Sequence, residues 1–204
     1  MKTLFLAASF ADVAPHFPAF IGEPPAGKSV AFIPTACDVE DITFFMDDDR
    51  NAFKTLGIRV DELNLSAMSH AELAQKIAAN DFIFIGGGNT FYLLQELKRS
   101  GLDSVIKEAV TNGKPYIATS AGSMVVAPDI AYGAAMDAPE KAPQLESTKA
   151  MHLVDFYLLP HYGNPPFSRV TRAIHAQYRD QIDIRPVSNA QFISVRGDEI
   201  HEHP

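Results

Sequence analysis

The chain has 204 residues and a mass of 22.3 kDa, with 17 basic against 25 acidic side chains, a net charge of −8 and 47 % hydrophobic residues. That apolar share builds a core and excludes a disordered chain, while the lack of any Lys/Arg cluster excludes a nucleic-acid partner. The single cysteine, Cys37, excludes a disulfide framework and a Cys-rich zinc site, and no apolar run approaches the roughly 20 residues that span a bilayer.

The N-terminal run Thr3 to Ala7 predicts a buried strand rather than a signal peptide, because it is short and Asp12 and Pro15 follow it. A cytoplasmic location follows as the expectation, with the lone thiol kept reduced. Ser29 to Ile33 predicts a second strand, ended by Pro34. Ile42, Phe45, Met46, Phe53 and Leu56 recur at helical spacing over Asp41 to Leu56, with Gly57 as the stop. Ile58 to Leu65 alternates as a strand does. Ser69-His70-Ala71-Glu72 is a capping box opening a helix over Ala71 to Ala79.

Phe82 to Ile85 is a continuous apolar run of the kind buried on both faces of a sheet. Helices follow over Thr90 to Arg99 and Leu102 to Asn112, each near a glycine (Gly101, Gly113) suited to a left-handed stop. Tyr116 to Thr119 and Val154 to Leu159 predict strands, Val170 to Tyr178 a helix, and Phe192 to Val195 with Glu199 to His201 a hairpin about Gly197. Strands alternating with helices imply an α/β fold: a mostly parallel sheet with helices on both faces, in one domain over 1–204. Pro128 to Lys149 has weak periodicity, and structureless segments of that length are often functional.

Three motifs end predicted strands. Ala118-Thr119-Ser120-Ala121-Gly122 places a Ser between a strand and the apolar Met124-Val125-Val126, with small residues on both sides. A sharp nucleophile elbow needs such neighbours, and the Ala121 amide then points at a developing oxyanion. A Ser that caps a helix reads equally well. Gly86-Gly87-Gly88-Asn89-Thr90-Phe91 lets a backbone approach a ligand at a helix start. It serves as a phosphate cradle, an oxyanion donor or a tight turn. The phosphate-loop pattern fails for want of Lys, and the dinucleotide spacing fails too. Leu158-Leu159-Pro160-His161 puts a His beyond a strand end, where open α/β sheets bind ligands. Ser and His on one rim are the core of a nucleophilic hydrolase.

The wording Phe32-Ile33-Pro34-Thr35-Ala36, the glycine run to Phe91 with Leu93 and Leu94, Ser120-Ala121-Gly122 and Pro160-His161 resembles the peptidase E family of serine dipeptidases, with the cyanophycinases as distant relatives. The resemblance runs over about residues 1 to 165. It implies a three-layer, flavodoxin-like fold similar to class I glutamine amidotransferases. It also implies Ser120 as nucleophile, His161 as base, an oxyanion hole from the amides of Gly88 and Ala121, and release of N-terminal Asp from short peptides. For the triad acid, Asp137-Ala138-Pro139 fits the family's wording with a short insertion; Asp129 is second and Asp155 third.

No cofactor or metal is expected, and the partners expected are a short peptide and at most a second copy of the chain, with neither nucleic acid nor membrane. Two rival readings stay open: a binding module for a small anion or metabolite on the same glycine loop, and a hydrolase using Cys37. Arg169, Arg172 and Arg196 are the arginines that could meet a substrate carboxylate. His201-Glu202-His203 reads as a solvated tail before a metal site, and Asp47-Asp48-Asp49 as a wet helix face. A His base implies activity that falls on the acid side.

Overall fold

A computed structural model describes residues 1–204. In chain order the elements are β1 (Thr3–Ala7), α1 (Phe10–Val13), α2 (Phe17–Ile21), β2 (Ser29–Ile33), α3 (Phe44–Thr55), β3 (Arg59–Glu62), α4 (His70–Ala79), β4 (Phe82–Ile85) and α5 (Thr90–Ser100). They continue as α6 (Leu102–Thr111), β5 (Tyr116–Thr119), α7 (Ala121–Met124), β6 (Tyr157–Leu159), α8 (Ser168–Tyr178), β7 (Ile184–Pro186), β8 (Phe192–Arg196) and β9 (Glu199–His203). Seven strands form one sheet in the order β3-β2-β4-β5-β1-β8-β9. The first five run parallel; β8 is antiparallel to β1, and β9 to β8.

Strand side chains alternate between the two faces, and the alternation here sorts them by chemistry. Leu4, Leu6, Ala31, Ile33, Ile83 and Ile85 turn to an aliphatic layer shared with Leu73 of α4, Leu94 of α5 and Ile106 of α6. Phe5, Phe32, Phe82 and Phe84 turn the other way, to Phe10, Phe17 and Phe53. The rings interlock. Phe10 stacks on Phe53 at 4.5 Å between centroids and Phe32 on Phe84 at 4.8 Å, while Phe17 meets Phe82 edge-on. Each fully buried side chain of this size contributes roughly 1.5–3 kcal/mol.

Local signals explain the helix starts. Ser69 and Glu72 complete the expected capping box, with the Glu72 carboxylate accepting from the Ser69 amide at 2.8 Å. Asn89 caps α5 by accepting from the Tyr92 amide at 2.9 Å. Three expectations need correction. The strand before His161 does not join the main sheet: β6 pairs with β7 in a separate two-stranded parallel sheet. It is held to the body by Met124, Tyr132 and Leu159, and by the Tyr132 hydroxyl donating to the Leu158 carbonyl at 2.6 Å. The C-terminal residues are no loose tail but β9, where His203 lies flat on Phe192 at 4.2 Å and its Nε2 shares a 2.8 Å hydrogen bond with the Ser194 hydroxyl. Asp49 is buried rather than wet. No helix is long and apolar enough to cross a membrane.

Candidate active site

The β1 and β5 strands lie in register with Ala7 opposite Thr119, so the residues after each meet at one end of the sheet. Ser120 turns the chain from β5 into α7 with φ 49 and ψ −111, a conformation that costs a non-glycine residue energy and that surrounding contacts must hold. Those contacts are present. The Ser120 amide donates to the Ala7 carbonyl at 3.0 Å, the Ser123 hydroxyl to the same carbonyl at 2.8 Å, and the Thr119 hydroxyl to the Ala8 carbonyl at 3.0 Å. Thr119 Oγ1 also accepts from the Phe10 amide, which fixes α1 beside the turn.

The small residues around Ser120 are required by contact. A Cβ at Gly122 would sit 2.2 Å from the Ile85 carbonyl oxygen, and one at Gly88, where φ is 131, would sit 2.2 Å from the Ala36 oxygen. The glycine loop therefore lies directly against the turn. The amides of Gly88 and Ala121 donate to no carbonyl in the turns around them.

His161 also carries a positive φ, of 60. Its Nε2 is 3.0 Å from Ser120 Oγ, and its ring stacks on Phe167 with 4.9 Å between centroids. Its Nδ1 lies 2.7 Å from the side-chain oxygen of Asn189. Burial holds the imidazole below its ordinary value, opposed by the Asn189 hydrogen bond and the negative charge of Asp12.

Asp137, expected to orient the imidazole, does not touch it. Its Oδ2 accepts from the Thr90 amide at 3.0 Å and makes a short bond to the Thr90 hydroxyl, at the positive end of α5. Burial pushes its carboxyl up to about 6, against the pull of those Thr90 bonds. The second choice, Asp129, accepts from the Ala131 amide and the Thr148 hydroxyl, and the third, Asp155, bonds His152. Each of these carboxylates shapes its own loop.

Asn189 escaped the sequence reading because Ser188-Asn189-Ala190-Gln191 has the composition of a turn and nothing more. Topology places it. Antiparallel β8 begins with Phe192 opposite Ala7, so the residues just before it arrive at the Ser120 end of the sheet. The same register puts Arg196 opposite Thr3, at the far end, where it covers the Phe20 ring at 5.0 Å. Arg169 and Arg172 are exposed on α8, which starts directly after Phe167. Cys37 is half-buried in the turn beside the glycine loop, and burial raises its thiol above the ordinary value, the opposite of what an activated thiolate needs. No group of three His, Cys, Asp or Glu side chains stands where it could hold a metal ion.

Known proteins are similar to this chain. The model of peptidase family S51 matches residues 4–203. The uncharacterized peptidase Lmo0363 of Listeria monocytogenes is 46 % identical over 98 % of this chain and 97 % of its own, and the uncharacterized peptidase PM1590 of Pasteurella multocida is 46 % identical over 97 % and 95 %. Peptidase E of a Nostoc species is 36 % identical over 67 % of this chain and 53 % of its own. Among solved structures, that of a candidate peptidase E protein from Listeria monocytogenes EGD-e superposes with a TM-score of 0.95 at 45 % identity, covering 100 % of this chain and 98 % of the other.

Proposed function

Because the chain belongs to peptidase family S51 and is a peptidase, we propose that Ser120, His161 and Asn189 are its catalytic triad and short peptides its substrates. The observation that carries this reading is the line of contacts from Ser120 Oγ through both imidazole nitrogens to the Asn189 oxygen, at 3.0 and 2.7 Å. Asn189 accepts from Nδ1–H, which leaves the lone pair of Nε2 facing the hydroxyl. His161 then takes the Ser120 proton as Oγ bonds to the peptide carbonyl carbon. The carbonyl oxygen becomes an oxyanion, received by the amides of Gly88 and Ala121. As the C–N bond breaks, His161 returns the proton to the leaving amine, and an acyl-enzyme remains. Water repeats the attack with His161 again as base, and the acid product leaves.

We assign the first residue of the substrate as aspartate, as the resemblance implies. Of the three arginines weighed for its carboxylate, Arg169 and Arg172 lie on the helix that follows Phe167, the ring stacked on His161, while Arg196 lies at the far end of β8. Purified protein given dipeptides varied at the first residue is expected to release Asp from Asp-Xaa in preference to Ala-Xaa or Leu-Xaa. Ser120→Ala is expected to lower kcat by roughly four orders of magnitude or more. Turnover that survives Ser120→Ala overturns the mechanism; equal rates across first residues overturn the aspartate preference alone.

A further inference from the structure

An amide in the third position lacks the charge that draws a carboxylate to an imidazole, so its orientation must come from the scaffold. Asn189 also has two faces: its oxygen accepts from Nδ1–H, whereas its NH2 would leave Nδ1–H without an acceptor. Something must fix the backbone from which this side chain departs. The paired segments after β6 and β7 supply the frame. The Val187 amide donates to the Leu159 carbonyl at 2.9 Å, and the Tyr162 amide to the Val187 carbonyl at 3.0 Å. Beyond that point main-chain pairing between the two segments stops. The next rung is made by a side chain: Asn164 Oδ1 accepts from the Asn189 amide at 3.0 Å. The Asn164 amide in turn donates to the His161 carbonyl, also at 3.0 Å.

These three bonds close a ring. It runs from the His161 imidazole to the Asn189 side chain, along Asn189 to its own amide, across to the Asn164 side chain, and back through the Asn164 amide to the His161 main chain. His161 sits in the ring at a φ of 60, a conformation that does not hold itself. We infer that Asn164 is a positioning residue for the peptidase reaction: it holds the turn bearing Asn189 against the turn bearing His161, so that the imidazole keeps its proton on Nδ1 and its lone pair on Ser120. This inference rests on the proposed triad. Asn164 touches neither Ser120 nor, on this assignment, the substrate.

The test pairs kinetics with a readout independent of turnover. Asn164→Ala deletes the acceptor; Asn164→Asp keeps it. Asn164→Ala is expected to lower kcat by roughly ten- to a hundredfold with KM within twofold, as loss of an outer partner of a catalytic group does. Asn164→Asp is expected to return kcat to within about threefold at alkaline pH, where the imidazole is neutral. In parallel, the proton NMR spectrum is expected to carry a low-field imidazole N–H resonance in the wild type and in Ser120→Ala, absent from His161→Ala and lost in Asn164→Ala. A kcat within twofold of wild type in Asn164→Ala, a change confined to KM, failure of Asn164→Asp to rescue, or a resonance that persists in Asn164→Ala each overturns the role. If Asn164→Ala does not fold, Asn164→Ser, with its shorter acceptor, is read by the same two measurements. Should Ser120→Ala itself retain full turnover, the triad falls, and the resonance alone then decides whether Asn164 orders His161.

Discussion

At the scale of single residues, the acid limb of the rate profile belongs, on the proposed triad, to His161. The reaction needs a neutral imidazole, and burial holds His161 below its ordinary value of 6.5. Activity is therefore expected to be full near neutrality and to fall through a midpoint below 6.5. Two substitutions move that midpoint in opposite directions. Asn189→Asp puts a carboxylate on Nδ1, raises the imidazole pKa and moves the limb to higher pH. Asp12→Asn removes a charge that raises the imidazole pKa and moves the limb lower. A pH series of kcat/KM on the three proteins checks both signs. The same residues mark what a sequence can and cannot disclose. Ser120 and His161 stand out because their chemistry is in the residue type and their setting, small neighbours or a strand end, is local. Asn189 is 28 residues from His161 in a turn of ordinary composition, and only the pairing of β7 with β6 and of β8 with β1 brings it close.

At the scale of elements, Asp137 belongs to the start of α5. Its carboxylate takes the Thr90 amide and hydroxyl, while Asn89 Nδ2 donates to the Ala138 carbonyl at 3.0 Å. The segment 137–138 is thus clipped to the helix that follows the glycine loop. Asp137→Ala is expected to cost stability on the order of a lost helix cap, about 1 kcal/mol or more. Asp137→Asn keeps an acceptor and is expected to retain more than about a tenth of wild-type kcat, against a loss of roughly a hundredfold or more for Asn189→Ala. Denaturant melts and kcat on the three variants separate the roles. The family wording Asp-Ala-Pro pointed at Asp137 because a carboxylate is present in the right stretch; which neighbour it meets depends on how the stretch folds back. For the same reason the apolar run ending at Leu159 announced a strand without saying which sheet it joins. α1 and α2 stayed hidden because they have four and five residues with Pro15 and Pro18 about them, too short for a helical period to register.

At the scale of the whole molecule, the aromatic layer carries a buried carboxyl. Asp49 of α3 accepts from the Ala11 amide at 3.1 Å, and burial drives its carboxyl up to about 8, with Asp48 and Asp12 adding to the push. A carboxyl whose folded value lies above its unfolded 3.8 binds more protons in the folded state across that interval, so stability falls as pH rises from about 4 to about 8. Asn cannot ionise and still accepts from Ala11. Asp49→Asn is expected to leave Tm nearly unchanged near pH 4 and to raise it by several degrees at pH 8, where each kcal/mol is worth about 2–4 °C in a chain of this size. Parallel Tm curves for the two proteins across that range would remove Asp49 as a source of pH sensitivity. The layering itself was readable: Leu4, Phe5 and Leu6, then Phe82 to Ile85, alternate branched and ring side chains, and the two faces keep them apart.

The antiparallel strand β8 adds a consequence in time. Ser120 and His161 leave the ribosome before Asn189, and the turn that bears Asn189 is fixed when β7 pairs with β6 and Phe192 of β8 pairs with Ala7 of β1. On the proposed triad, a nascent chain therefore holds Ser120 and His161 without their anchor, and hydrolytic competence arrives only once β7 and β8 have been made. Peptide-cleaving power is then withheld until β8 has closed on β1.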